Sequence, residues 1–257
     1  MGTPVQFTCF VAFRQNPVRQ ARDFSAVGLN MSFEAAQRAQ WQARTVSACE
    51  FLMGAFLVIG HNVYHLVPNE VPILVVLAIV SMRWREGAWR WASLGFKRPG
   101  SWSHIVLIAQ AAAAMRLILG GFLVEPVTSH FWPPIKGPSE ANEIRGHFTA
   151  VVMYLPTVWV FGGFGEEISY RGYLLNKLAD VFGRTRAADV IAILGSAVLF
   201  GYGHYYKGPA GILDSGVAGV ILGTAYLVSG RNLWTCVLAH GFIDTFAVFA
   251  AYLGWDN

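Results

Sequence analysis

Charge is scarce in this chain. Only 13% of its 257 residues are Asp, Glu, Lys or Arg, against about 25% in a typical soluble domain, and 54% are hydrophobic. That balance excludes an ordinary water-soluble domain and implies an integral membrane protein. Cysteine is scarcer still. Cys9, Cys49 and Cys236 are scattered without C-x-x-C spacing, which excludes a disulfide framework and a thiolate metal site and leaves them as small apolar fillers. The His-Glu-x-x-His signature of zinc proteases is also missing. A single basic face is lacking too: the net charge of +4 is carried by cations in short segments between apolar runs, a topology signal rather than a nucleic-acid footprint.

The first residues resemble no standard signal peptide, because the apolar patch Phe7 to Phe13 is short and has no small-residue cleavage site. Gln6 stands where a myristoylated chain would carry Ser or Thr. Residues 1–30 carry Arg14, Arg19 and Arg22 with little periodicity and are expected to form a disordered cytoplasmic tail. Met31-Ser32-Phe33-Glu34 reads as a fresh helix start, so Met31 is an alternative initiation point.

What is present is a series of apolar runs, at roughly 45–66, 71–83, 104–124, 148–178, 187–206, 211–229 and 232–252. All but the second are near the 20 or so residues that span a bilayer as helix. Breakers separate them: Pro68-Asn69, Lys97-Arg98-Pro99-Gly100, Pro133 to Pro138, Gly183, Lys207-Gly208-Pro209 and Gly230-Arg231-Asn232. The expected fold is an all-α, polytopic transmembrane bundle of about seven helices, with residues 31–144 as an N-terminal group and 145–257 as the core. Arg83, Arg85, Arg90, Lys97 and Arg98 follow the second span, and Arg171, Lys177, Arg184 and Arg186 lie along the end of the fourth. By the positive-inside rule both groups face the cytoplasm, with the N-terminus inside and the C-terminus outside. In a bacterium the membrane would be the cytoplasmic one. Trp84 to Trp102, rich in Trp, Arg and Lys, reads as an interfacial element, and Gly219-x-x-x-Gly223 as a close helix contact.

Ionisable residues inside these runs cost at least about 2.5 to 3.5 kcal/mol each, so they mark partners or a task. They form three groups: Glu166-Glu167 with Arg171, Phe200 with His204, and His240 with Asp244. Glu166 and His204 are each about 19 residues from Thr185, which at about 1.5 Å per residue puts both roughly 20 to 25 Å from that turn. His240 and Asp244 fall roughly 14 to 20 Å from the turn near Arg231 by the same rise. All four can share one layer, although Gly162, Gly163 and Gly165 are placed to break the fourth helix just before the glutamates. Glu167 and Arg171 are i,i+4 neighbours that can neutralise each other, while Glu166 points about 100° away and stays free. In the same way Asp244 can orient His240.

A carboxylate and a histidine can hold and deprotonate a water, and a second histidine can stabilise an oxyanion. Two other readings stay open. The six ionisable residues can form a satisfied network that only holds the bundle together, and His204 and His240 with carboxylates are suitable zinc ligands, although no cofactor is expected. Arg116, inside the third span, is either an ion-pair partner or a contact for a substrate carboxylate. The remaining histidines lie at span ends or in loops.

Glu166-Glu167-x-x-x-Arg171-Gly172, Phe200-x-x-x-His204 and His240-x-x-x-Asp244, in this order on consecutive spans, resemble the CAAX protease and bacteriocin-processing family of intramembrane endopeptidases, which includes the type II CAAX prenyl endopeptidases. The resemblance covers about residues 145 to 252, and Leu94-Gly95-Phe96 is similar to the family's lead-in. It implies Glu166 as the water-activating glutamate, His204 as its partner, and His240 with the residue four later at the oxyanion. Many members carry Asn at that last position, where this chain has Asp244. An ionised Asp would repel an oxyanion, so Asp244 must be protonated, or orient His240, or leave the site inactive. The implied partners are membrane lipid and a membrane-associated peptide or protein. In some members the substrate is a prenylated CAAX protein that loses its C-terminal tripeptide, while bacterial members are linked to peptide processing or bacteriocin immunity. The rival reading is a non-catalytic membrane protein that binds a peptide.

Overall fold

Helices in lipid gain little from burying apolar surface against one another, so close packing of small residues must hold them together. The interior of this protein follows that rule. Gly219 lies so close to the neighbouring helix that a Cβ there would sit 2.8 Å from the Ala197 Cα, and a Cβ at Gly223 would meet Ile193 at 3.3 Å. Ala109, Ala112, Ala192, Ala225 and Ala239 fill other crossings. Large apolar side chains such as Phe122, Leu107 and Met153 point outward, as lipid-facing residues do.

The computed structural model describes residues 33–132 and 140–255. Its helices are α1 (Phe33–Asn62), α2 (Glu70–Glu86), α3 (Trp102–Leu119), α4 (Glu125–Phe131), α5 (Glu140–Ile144), α6 (Phe148–Thr157), α7 (Asn176–Val181), α8 (Arg186–Tyr202), α9 (Gly208–Val228) and α10 (Leu233–Leu253). A π-turn at Gly120–Val124 joins α3 to α4, and two π-helical stretches, Val158–Glu166 and Ile168–Leu175, join α6 to α7. Counted as continuous rods, the described residues form seven long helices, and among them five helices are long and apolar enough to cross a membrane. The chain is a multi-pass all-α membrane protein.

Several boundaries differ from expectation. Residues 125–147, which fall between the expected runs 104–124 and 148–178, contain α4 and α5. Pro126 does not prevent this, because it occupies the first turn of α4, where a missing N–H costs nothing. The glycines before Glu166 do not break their helix but sit in its π-helical stretch, just after Pro156, whose absent N–H and ring disturb the α ladder. The fifth span stops at Tyr202, not 206. A Cβ at Gly203 would lie 2.5 Å from the Tyr170 hydroxyl, so the residue there must be small. The expected tail over residues 1–30 and the Pro133 to Pro138 breaker lie outside the described residues.

The two turns that frame the core form where their residues demand. Gly183 and Arg184 take positive φ and Thr185 caps α8 by accepting from the Ala188 N–H at 3.1 Å. Gly230 and Arg231 do the same before Asn232, which caps α10. Leu94-Gly95-Phe96 explains itself at this end. Gly95 has φ +100° and faces Tyr226, its carbonyl accepts from the Leu233 N–H at 2.8 Å, and Phe96 packs on Phe164 and Trp234.

These contacts gather the basic segments at one end of the bundle. Lys97 donates to the Gly230 carbonyl at 3.1 Å, Arg231 bonds Asp189 and Asn176 across α7 and α8, and Arg44 of α1 lies against Gly183. Within the helices nearby, Glu50 accepts from Ser81, Arg85 and Lys177 at 2.5, 2.6 and 3.0 Å, tying α1, α2 and α7 together. Asn62, Glu70 and Gly203 mark the opposite end.

Candidate active site

The site forms where the π-helical stretch of the α6–α7 rod meets α10 and the end of α8. Glu167 is fully buried and Arg171 is 1% exposed, and their i,i+4 spacing brings Arg171 Nη1 to Glu167 Oε1 at 2.7 Å. The same Oε1 accepts from His240 Nδ1 at 2.6 Å. Since a carboxylate only accepts, Nδ1 carries the proton, and Nε2 is the nitrogen turned toward Asp244 and Glu166. Glu167 therefore orients the imidazole, the part assigned in sequence to Asp244. Asp244 lies instead on the Nε2 side, at 3.5 Å, and Glu166 Oε2 is 4.0 Å from the same nitrogen.

Glu166 stays free of Arg171, as its position on the helix requires. Its Oε2 is buried and has no hydrogen-bond partner among the described residues. Gly162, one turn earlier, makes room for the cluster, since a Cβ there would stand 2.6 Å from Asp244 Oδ2 and 3.5 Å from His240 Nε2. Gly241 similarly admits the Trp159 ring, whose indole N–H donates to Thr245 at 3.1 Å and braces α10.

His204 is held differently. Its Nδ1 bonds the Phe200 carbonyl at 2.9 Å and so carries the proton, leaving Nε2 of the neutral ring as an acceptor. Expected inside a span, it sits just past the end of α8 and is half-buried. Among the described residues no hydrogen bond or ion pair joins it to Glu166. Phe200 is the connecting surface: Arg171 lies 4.4 Å over its ring, and its centroid is 4.9 Å from that of His204 and 6.0 Å from that of His240. The ring screens the buried Arg171 while aligning both imidazoles on one wall.

Sequence reading missed Gly162, Tyr170 and Trp159. Tyr170 is fully buried with its ring edge-on to Phe200 at 5.0 Å, and its position just before Arg171 was the available signal. Arg116 takes its ion-pair reading, bonded to Asp214 of α9, with the bare Gly120 making space for its guanidinium. Among the described residues no group of three or more His, Cys, Asp or Glu side chains is placed to hold a metal ion, so no step below is routed through one.

Residues 148–246 match the family model described as type II CAAX prenyl endopeptidase Rce1-like. The chain carries an Rce1-like domain. The match spans all three motifs, from α6 to most of α10, and supports a peptidase in place of the non-catalytic reading. No curated protein and no solved structure matches the chain. Within the Rce1-like domain the buried Glu167–Arg171–His240 unit is the frame, and Glu166, His204 and Asp244 are the groups it presents.

Proposed function

We propose that the Rce1-like domain hydrolyses a peptide bond of a membrane-associated, CAAX-type substrate, with Glu166 as general base. One observation carries this reading: Glu166 Oε2 is buried and unpartnered while the adjacent Glu167 is engaged by both Arg171 and His240. A carboxylate kept from its neighbours in a shielded place is available to a water.

In this scheme a water lies between Glu166 and the unprotonated Nε2 of His204. Glu166 takes one proton as the water oxygen adds to the scissile carbonyl carbon, and the C=O electron pair moves to oxygen. His240, protonated at both nitrogens, donates its Nε2–H to that oxyanion while Nδ1–H stays on Glu167. Collapse of the tetrahedral intermediate breaks the C–N bond, and Glu166 returns its proton to the leaving amine. General acid–base assistance contributes about 10² to 10⁴ in rate, and one oxyanion donor about 10² to 10³. Asp244 faces His240 Nε2, so it balances the imidazolium between turnovers rather than holding the oxyanion itself. In a CAAX-type substrate the scissile bond lies three residues before a C-terminal carboxylate.

The test is cleavage of membrane-tethered and prenylated peptides by purified wild type, Glu166→Ala and His204→Ala, with and without a chelator. Loss of cleavage in both folded variants, and indifference to chelator, is the expected result. Chelator sensitivity reversed by zinc would replace this scheme with a metalloprotease. Unfolding of both variants would return the cluster to a structural role.

A further inference from the structure

The turn that follows His204 carries a cation the proposed reaction does not use. Lys207 closes the 3-10 turn Tyr205–Lys207, its N–H donating to the His204 carbonyl at 2.9 Å. Its ammonium lies 5.5 Å from the Tyr206 ring centroid, and that ring stacks on His204 at 6.1 Å and 27°. Histidine, tyrosine and ammonium thus form a short stack leading from His204 to the exposed turn.

Near this site α3 carries Arg116 and the turn after α8 carries Lys207. Arg116 is committed to Asp214. Lys207, among the described residues, has no carboxylate partner, and its ammonium is placed beside His204 through the Tyr206 ring. The cluster around His240 holds three carboxylates, Glu166, Glu167 and Asp244, which would repel an anionic peptide end. A substrate cut near its C-terminus must place that terminus outside them and on a cation.

We propose that Lys207 is a specificity-determining residue that binds the C-terminal carboxylate of the peptide whose scissile bond lies at Glu166 and His204; the proposal rests on the peptidase reading above. The scale fits. Three residues of 3-10 turn rise about 6 Å from His204 to Lys207, and an extended tripeptide spans about 10 Å, a gap the flexible lysine stem covers. A compact ammonium recognises a carboxylate and a lipid phosphate by the same chemistry, so the experiment separates the two.

Full-length wild type, Lys207→Met and Lys207→Arg are placed in nanodiscs of phosphatidylcholine with or without phosphatidylglycerol. Each is given a prenylated peptide as the free C-terminal acid and as the amide. The wild type is expected to favour the acid by about tenfold in kcat/KM, the size of one hydrogen bond to a charged group. That preference should vanish in Lys207→Met, mainly through KM, and return in Lys207→Arg. A parallel measurement without turnover compares binding of the free tripeptide and its amide. Equal handling of acid and amide by wild type, or a preference that Lys207→Met leaves intact, overturns the proposal. So does an effect of Lys207→Met that follows phosphatidylglycerol content instead of the peptide terminus, which would assign the lysine to lipid. If no form cleaves, the peptidase reading fails and tripeptide binding decides alone: acid-selective binding lost in Lys207→Met upholds the anchor, and unselective binding removes it.

Discussion

Glu166 and Glu167 are chemically identical and adjacent, and their surroundings separate their roles. Glu167 holds Arg171 and His240 at 2.7 and 2.6 Å in full burial, so Glu167→Gln leaves a guanidinium in the interior without its countercharge. Breaking a buried pair from one side costs about 3 to 5 kcal/mol, and a marked fall in thermal stability in detergent is expected. Glu166→Gln breaks no hydrogen bond of Oε2 and loses only its 4.0 Å approach to His240 Nε2, so the fold should hold while cleavage drops by about 10² to 10⁴. The pair of variants thus separates stability from chemistry. For Asp244→Asn, cleavage within about tenfold of wild type is expected, because Asp244 makes no hydrogen bond to His240 and only approaches its Nε2 at 3.5 Å, a loose half-buried contact worth about 1 kcal/mol. A loss of a thousandfold would instead give Asp244 a direct part in the reaction. The three motifs and the free position of Glu166 were legible in the sequence because i,i+4 spacing carries over to structure. The exchange of roles between Glu167 and Asp244 was not, because it depends on how α10 is rotated against the α6–α7 rod.

Two π-helical stretches place Glu166, and nothing in hydrophobic periodicity announces them. Their ingredients were visible as Pro156 and the glycines, but the sequence pattern suggested a break, while tertiary packing kept the rod continuous. Gly162 is where this matters for chemistry. Gly162→Ala puts a methyl 2.6 Å from Asp244 Oδ2, so cleavage should fall strongly while folding persists, as read by peptide hydrolysis beside circular dichroism. The α8–α9 crossing is the opposite case. Gly219-x-x-x-Gly223 was readable as a close contact, and Gly219→Ala forces a methyl to 2.8 Å from the Ala197 backbone. Overpacking of about 1 to 3 kcal/mol is expected there, seen as a lower melting temperature at any activity.

Across the whole molecule, the segments 90–98, 183–186 and 230–232 meet at one end, while the turns at 62–70 and 203–208 lie at the other. By the positive-inside rule the basic end is expected to face the cytoplasm, and reporters fused in the 83–98 and 183–186 segments should both report it. A reporter between 125 and 147 should report the opposite side, and agreement of all three would reverse the assignment. The sequence by itself determined the membrane class, the helical spans and the turns at 68–69, 97–100, 183–185 and 230–232, because scarcity of charge, run length and breaker residues act locally. It also carried the three motifs that mark the Rce1-like domain. Only the tertiary structure decided which carboxylate orients His240, that His204 stands at a helix end and reaches the cluster through the Phe200 ring, and that Lys207 is left without an acidic partner among the described residues. Those outcomes depend on helix rotation and depth, which are set by small-residue packing between distant segments and which no local pattern encodes.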